Sequence, residues 1–252
     1  MTTFPDPAEL YPDVAAKGSL AAALQDVAEE QGLVLGDVVS DERQPLLYAS
    51  VPSETPLREA LIVSAGHVSR YWLTKGWGQG IWLVTGKSRT LPEVARAAQA
   101  WRNGVRLRDI RRLVPFVELT GLAEAAEQGP AYVVAVQWQT MRQEAEEANW
   151  SEYRALIEAA QAEPKLRQLY PYTSHWTLRF STTTGYPFSP DPVCLHATRR
   201  GRYIVSQSWL GAVLAETTTA AEAVALAVSY LSADIGPAVA GTYKAQGTPH
   251  HP

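Results

Sequence analysis

His175, Thr177, Arg179 and Ser181 alternate along one short stretch of the chain. On a β-strand, alternate residues project to one face, so these four would share a face while Trp176, Leu178 and Phe180 share the other. Histidine can act as a general base near neutral pH. An arginine guanidinium can clamp a carboxylate or phosphate through two parallel hydrogen bonds. The stretch therefore reads as a pocket with a base and an anion clamp, although the ordinary alternation of a half-solvated strand gives the same pattern. Cys194 and His196 lie two residues apart and would also share a strand face. A cysteine nucleophile needs a base, but that base commonly comes from elsewhere in the fold, which favours a buried structural thiol here. The candidate catalytic residues are His175, Arg179 and Ser181, with His196 as a weaker partner. Alanine at His175 or Arg179 is expected to abolish product formation without unfolding the protein.

Other chemistry-bearing patterns are sparse. There is no Gly-rich phosphate loop, nucleophile elbow, His-Glu-x-x-His pair or paired-Asp motif, so no cofactor is expected. The five histidines, at 67, 175, 196, 250 and 251, have no metal-ligand spacing, and metal binding is not expected. With Cys194 the only cysteine, an intramolecular disulfide and a thiolate-rich zinc site are excluded. Arg102, Arg106, Arg108, Arg111 and Arg112 crowd one segment. They could grip an anion, but long arginine stems more often cover apolar surface with their charges in water. Eight tryptophans and eleven tyrosines could line a hydrophobic pocket or anchor an interface, or simply pack the core.

The elements that must position these residues follow a repeated pattern. Residues 18–101 and 151–231 run parallel at an offset of 132 or 133, with Arg70-Tyr71 and Trp77 matched by Arg202-Tyr203 and Trp209. Each copy opens with a helix: Leu20, Ala23, Leu24 and Val27 make an apolar stripe, as do Tyr153, Leu156, Ile157 and Ala160. Gly32 and Pro164 end these patterns. Extended segments follow, near 34–39, 46–51, 60–64, 70–74 and 81–85, then near 176–181, 193–197, 202–206 and 212–216. Leu61-Ile62-Val63 aligns with Val193-Cys194-Leu195, and Leu47 with Arg179. Thr90/Glu93 and Thr219/Glu222 both read as capping boxes that open a closing helix.

The expected fold is α+β, an internal duplication of an α-β(4-5)-α unit with pseudo-twofold symmetry, its antiparallel sheets flanked by helices. Residues 1–101 form the first unit with an N-terminal extension and 151–240 the second. Residues 102–150 connect them through a basic helix at 105–113, a central strand at Ala131–Trp138 and a helix through Ala148. The tail, 241–252, is expected to be disordered. The matched Trp77 and Trp209 read as core scaffold. A site is expected in the cleft between the units, where the second copy departs from the first: Arg179 against Leu47, and His196 against Ser64.

Composition narrows the function classes. Hydrophobic residues are 46% and charged residues 19%, as in a folded globular protein, and the net charge of −4 gives no pull toward nucleic acid or an anionic membrane. No apolar run approaches the roughly 20 residues of a spanning helix. The start carries Asp6 and Glu9 and no basic leader, so a cytoplasmic location is expected.

Several strings resemble an uncharacterised actinobacterial family labelled natural-product biosynthesis protein: Tyr11-Pro12-Asp13-Val14, Ala95–Trp101, Pro115-Phe116-Val117-Glu118, Tyr172–Trp176 and Arg179–Pro187. The resemblance runs over residues 10–242. It implies a role in specialised metabolism and assigns no catalytic residue. The expectation is a protein that binds, and in one version transforms, a hydrophobic small-molecule or peptide intermediate, with another pathway protein as a further partner. The residues do not decide between catalyst and binder. The alternative is a non-catalytic protein-binding module of the secretion-chaperone or immunity-protein type.

Overall fold

The computed structural model describes residues 4–244. The chain divides between Glu127 and Gln128 into two compact units. Of residues 102–150, those up to Glu127 fall in the first unit and those from Gln128 in the second. Among the described residues the fold is mixed α+β.

The first unit contains α1 (Pro7–Leu10), α2 (Pro12–Ala16) and α3 (Leu20–Glu30). Then come β1 (Val39–Ser40), β2 (Tyr48–Val51), β3 (Leu61–Ala65), β4 (Trp72–Gly78) and β5 (Ile81–Ser88). After these lie α4 (Leu91–Arg102), α5 (Leu107–Leu113), β6 (Val117–Leu119) and α6 (Ala123–Gln128). The six strands form one antiparallel sheet in chain order. Ser19 caps α3 by accepting the Ala22 amide, and Gly32 takes the left-handed conformation that stops it. Of the extended segment expected at 34–39, only Val39 lies in a strand. The expected capping box at Thr90 does not form. Glu93 accepts hydrogen bonds from the Ser88 and Thr90 hydroxyls instead, and Pro92 supplies the preset first turn of α4. Helices α3 and α4 pack on the sheet face carrying Ala49, Val51, Leu61, Val63 and Trp72, all buried. A Cβ at Gly76 would lie 2.6 Å from the Trp101 ring, so glycine is what lets α4 approach β4 so closely. Tyr11 is wholly buried beneath this unit's turns. Its hydroxyl lies 3.0 Å from the carbonyls of Gly66 and Tyr71 and accepts the Tyr71 amide at 3.2 Å.

The second unit opens with α7 (Pro130–Glu147), α8 (Ser151–Ala162) and α9 (Pro164–Arg167). It continues through β7 (Tyr170–Ser174), β8 (Thr177–Ser181), β9 (Thr183–Gly185), β10 (Cys194–Ala197), β11 (Tyr203–Ser206) and β12 (Val213–Thr217). It ends with α10 (Ala220–Ser229) and β13 (Val239–Thr242). Strands β7, β8, β10, β11 and β12 form an antiparallel meander, and β13 pairs in parallel with β9. The strand expected at Ala131–Trp138 is the start of α7. Its apolar run is too short to show a period, but the buried positions Val133, Val134, Trp138, Met141 and Ala145 recur at helical spacing through to Glu147. Thr219 and Glu222 form the expected capping box on α10. Helices α7, α8 and α10 pack on the sheet, with Trp138 against Phe180, over buried Leu178, Phe180, Leu195 and Val205. The tail expected to be disordered begins inside β13, and residues 245–252 lie outside the described residues.

Each unit thus runs helix, five-stranded antiparallel meander, helix. The strand ladders give a different residue matching when the two units are overlaid. With Ile62 aligned to Cys194, the residue paired with Ile62 is Ser50, and the residue paired with Cys194 is Arg179. On that alignment Arg179 falls opposite Ser50 rather than Leu47. Trp77 and Trp209 are not matched core residues either. Trp77 is half-buried in β4, whereas Trp209 is 37% exposed in the loop after β11. The buried aromatics near these places are Trp72 and Tyr203, at the starts of β4 and β11.

Candidate functional site

Arg179 and His196 sit on one side of the second unit's sheet, with His175 in the turn at its end, and the candidates do not form one catalytic group. Tyr172, Arg179, Cys194 and Ser206 are successive cross-strand neighbours on β7, β8, β10 and β11. Ser174, Thr177, His196 and Ile204 form the next row toward the β7–β8 turn. The Asp191 segment joins this face through Tyr172 and Arg179, and the Trp209 loop lies against Arg179 and His175.

Arg179 is the centre of the cluster. Its Nε donates to Asp191 Oδ1 at 2.9 Å and its Nη2 to Oδ2 at 2.8 Å, a two-pronged ion pair. The Tyr172 hydroxyl donates to the same Oδ1 at 2.8 Å. The guanidinium carbon lies 4.9 Å from the Tyr172 ring centre and 5.5 Å from that of Trp209, within cation–π range of both. The guanidinium expected to clamp an anion holds a carboxylate of its own chain. Asp191 escaped the sequence reading because Ser189-Pro190-Asp191-Pro192 has the composition of a turn. Tyr172 escaped because the neighbouring Pro171 argues against a strand, yet β7 is the sheet's outer strand, where proline is tolerated.

His175 does not share the strand face. With Trp176 it forms the two-residue turn between Ser174 and Thr177, both residues with positive φ (51° and 65°). A tight hairpin needs that backbone, which Asn-Gly ordinarily supplies. The two rings point to different partners. His175 stacks on Trp209 at 5.4 Å, while Trp176 packs against Tyr153 at 5.3 Å and Trp150 at 6.0 Å. Ser181 ends β8, at the opposite end of the strand from the His175 turn, about 13 Å along it from Thr177 at roughly 3.3 Å per residue. Its buried Oγ lies 2.8 Å from the Thr183 carbonyl and accepts the amides of Thr183 (3.0 Å) and Ser189 (3.1 Å). That hydroxyl shapes the loop after β8 and is not placed as a nucleophile beside His175.

Cys194 and His196 are held in their neutral forms. Burial, reinforced by the Asp191 carboxylate, pushes the Cys194 thiol up to about 12. A neutral buried thiol is a poor nucleophile. Iodoacetamide at about pH 8 is expected to leave Cys194 unmodified in the native protein and to label it fully in denaturant, as read by intact mass. Rapid native labelling would contradict this placement. Burial lowers the His196 pKa below its ordinary 6.5, and its Nδ1 lies 3.4 Å from the Thr177 hydroxyl. The unfolded chain then binds the proton more readily than the folded one. The stability tied to neutral His196 is present above pH 6.5 and is lost as pH falls below it. Melting curves from about pH 7.5 to 5 are expected to drop less steeply for His196→Gln; equal slopes would refute the assignment.

The five-arginine segment is largely solvated. Arg108, Arg111 and Arg112 are exposed on or beside α5, Arg112 pairing with Asp109, while Arg102 pairs with Glu54. Separately, α7, α8 and the 237–238 segment enclose a half-open cavity of about 630 Å³, lined by Ala131, Val134, Trp138, Gln161, Arg167 and Ala238. None of the expected site residues lines it. His250 and His251 lie outside the described residues.

The geometry defines an α+β unit whose conspicuous polar side chains are bound into one another around an arginine–carboxylate pair. Residues 132–242, from the first turn of α7 to the end of β13, match a family of unknown function (DUF6193), and a domain of that family is present there. No curated protein and no solved structure matches the chain. Among the described residues, no helix is long and apolar enough to cross a membrane.

Proposed function

We propose that this is a binding protein of bacterial specialised-metabolite biosynthesis, acting in the cytoplasm on a hydrophobic small-molecule or peptide intermediate. The resemblance of strings such as Tyr172–Trp176 and Arg179–Pro187 supports the pathway role. One observation favours binding over transformation: the groups best suited to clamp an anion or act as a nucleophile are already occupied or protonated. Arg179 is on Asp191, Ser181 is within its loop, and Cys194 is protonated. The ligand surface is the aromatic end of the second unit's sheet, where Trp209 lies over Arg179 and His175. Aromatic faces of this kind give large contact area at little conformational cost.

The same reading takes the two units as copies of one ancestral unit. It is supported by their common order of helix, five-strand meander and helix, and by ladders that align Ser50 with Arg179 and Ser64 with His196.

A second reading, a non-catalytic protein-binding module of the secretion-chaperone or immunity-protein type, is favoured by the exposed Trp209, Leu210 and Val213. Deletion of the gene, followed by metabolite profiling, separates the two. An accumulating intermediate, restored to normal by the wild-type gene and not by Trp209→Ala, supports the biosynthetic reading. An unchanged metabolite profile overturns it.

A further inference from the structure

We propose that the outer edge of β12 is a docking site for an extended peptide, paired antiparallel as an added strand and apolar at alternate positions. The inference rests on the binding reading above and narrows its ligand to the peptide class. The two units differ at this place. In the first, the fifth strand β5 carries a further strand on its outer edge: β6 pairs through Val84–Leu119, Thr85–Glu118 and Gly86–Val117. In the second, β12 ends the sheet, and among the described residues no strand but β11, on its inner edge, pairs with it. The chain leaving α10 goes instead to β9, where β13 pairs through Val239–Thr183 and Thr242–Gly185.

An edge strand presents a row of backbone donors and acceptors that another strand can use, and proteins usually blunt it with lysine, proline or a covering segment. Val213-Leu214-Ala215-Glu216-Thr217 has neither lysine nor proline, and its one charge, Glu216, is held by Arg202 at 2.7 Å. None of its five residues is buried, whereas five residues of β5 are. Beside the edge stand three exposed apolar side chains: Trp209, Leu210 at 84% and Val213 at 64%. Added strands gain affinity from main-chain bonds and specificity from pockets for alternate side chains, and this cluster can supply the latter. A second copy of the chain suits the edge less well. A stable dimer buries about 1,200–2,000 Å² in total, far more than a five-residue edge provides. The strand that fills the equivalent edge of the first unit, Val117-Glu118-Leu119, shows the kind of occupant: apolar, polar, apolar.

The test uses the full chain and a synthetic peptide of the sequence Pro115–Thr120, followed by backbone amide NMR. We expect shifts confined to Val213–Thr217 and the Trp209 indole, saturating at about 1 mM peptide or below. A peptide carrying Glu118→Pro, which removes one ladder donor, is expected to bind at least about tenfold more weakly. Leu210→Lys with Val213→Lys, both at exposed positions, should weaken binding as strongly while leaving the remaining spectrum unchanged. Absence of shifts, shifts centred on the cavity under α7, or peptide-independent shifts of β12 that grow with protein concentration would each overturn the proposal, the last by making a second copy the occupant. Its failure is separable from that of the binding reading: a deletion phenotype without peptide binding sinks only the edge site. An unchanged metabolite profile sinks the biosynthetic role.

Discussion

Arg179→Ala is expected to lower folding stability by about 3–5 kcal/mol, the usual cost of stripping one partner from a buried ion pair. The Asp191 side chain is only 3% exposed, so it cannot recover its hydration when the guanidinium goes. Arg179 is 22% exposed and can turn toward water, so Asp191→Ala is expected to cost distinctly less. Tyr172→Phe removes a further donor to Asp191 Oδ1, and in the Arg179→Ala background its effect should be larger than in the wild type, because the carboxylate then leans mainly on that hydroxyl. Urea unfolding at a constant slope measures all three. A loss below about 1 kcal/mol for Arg179→Ala would place the pair with exposed salt bridges and refute its structural role. This revises the expectation that Arg179→Ala would leave folding intact, and it makes Trp209 the cleaner probe of function.

Tyr11→Ala should cost the first unit about 3–5 kcal/mol, as for other large aromatic truncations in a core. Two effects combine. The ring is fully buried against Trp72, 4.7 Å between centres, with the Arg70 guanidinium 5.2 Å from its centre. The hydroxyl also satisfies the Tyr71 amide and faces the Gly66 and Tyr71 carbonyls. Tyr11→Phe keeps the ring and leaves those groups short of a partner, for about 1–3 kcal/mol. Because the chain has two units, the readout should be local: amide exchange of β3 and β4 is expected to accelerate, with that of β8 and β10 unchanged. Equal acceleration in both units would mean that Tyr11 acts on more than its own core.

The sequence patterns that proved legible are those with a long period or a strong stop. The stripes at Leu20–Leu24 and Tyr153–Ala160, the stop at Gly32 and the capping box at Thr219 all stand where expected. Alternation placed β3, β8, β10 and β11 to within about two residues. The misplaced segments were those where local composition mimics something else. Tyr132–Val136 is a five-residue apolar run that fits a buried strand or a helix equally well, and only the spacing out to Ala145 decides. The His175-Trp176 pair carries no mark of a turn, since positive φ is rare at a residue as bulky as tryptophan. Of the site, Arg179 was identified, but its meaning depended on Asp191, twelve residues along and hidden in a proline-flanked loop. Pair partners across a sheet are set by register, which a single sequence does not state.

The turn at His175-Trp176 has a consequence for signalling through the sheet. Two adjacent residues, locked in a conformation that leaves little backbone slack, carry one ring to the loop side and one to the helical side. Whatever pushes Trp209 off His175 levers the same turn that seats Trp176 on Tyr153 and Trp150. A displacement of Trp209 is therefore expected to reach Trp176 through this turn. A change at Trp209 is expected to register in indole emission from the Trp150–Trp176 pair, and His175→Asn, which removes the ring stacked on Trp209 but keeps Trp176, should weaken that response.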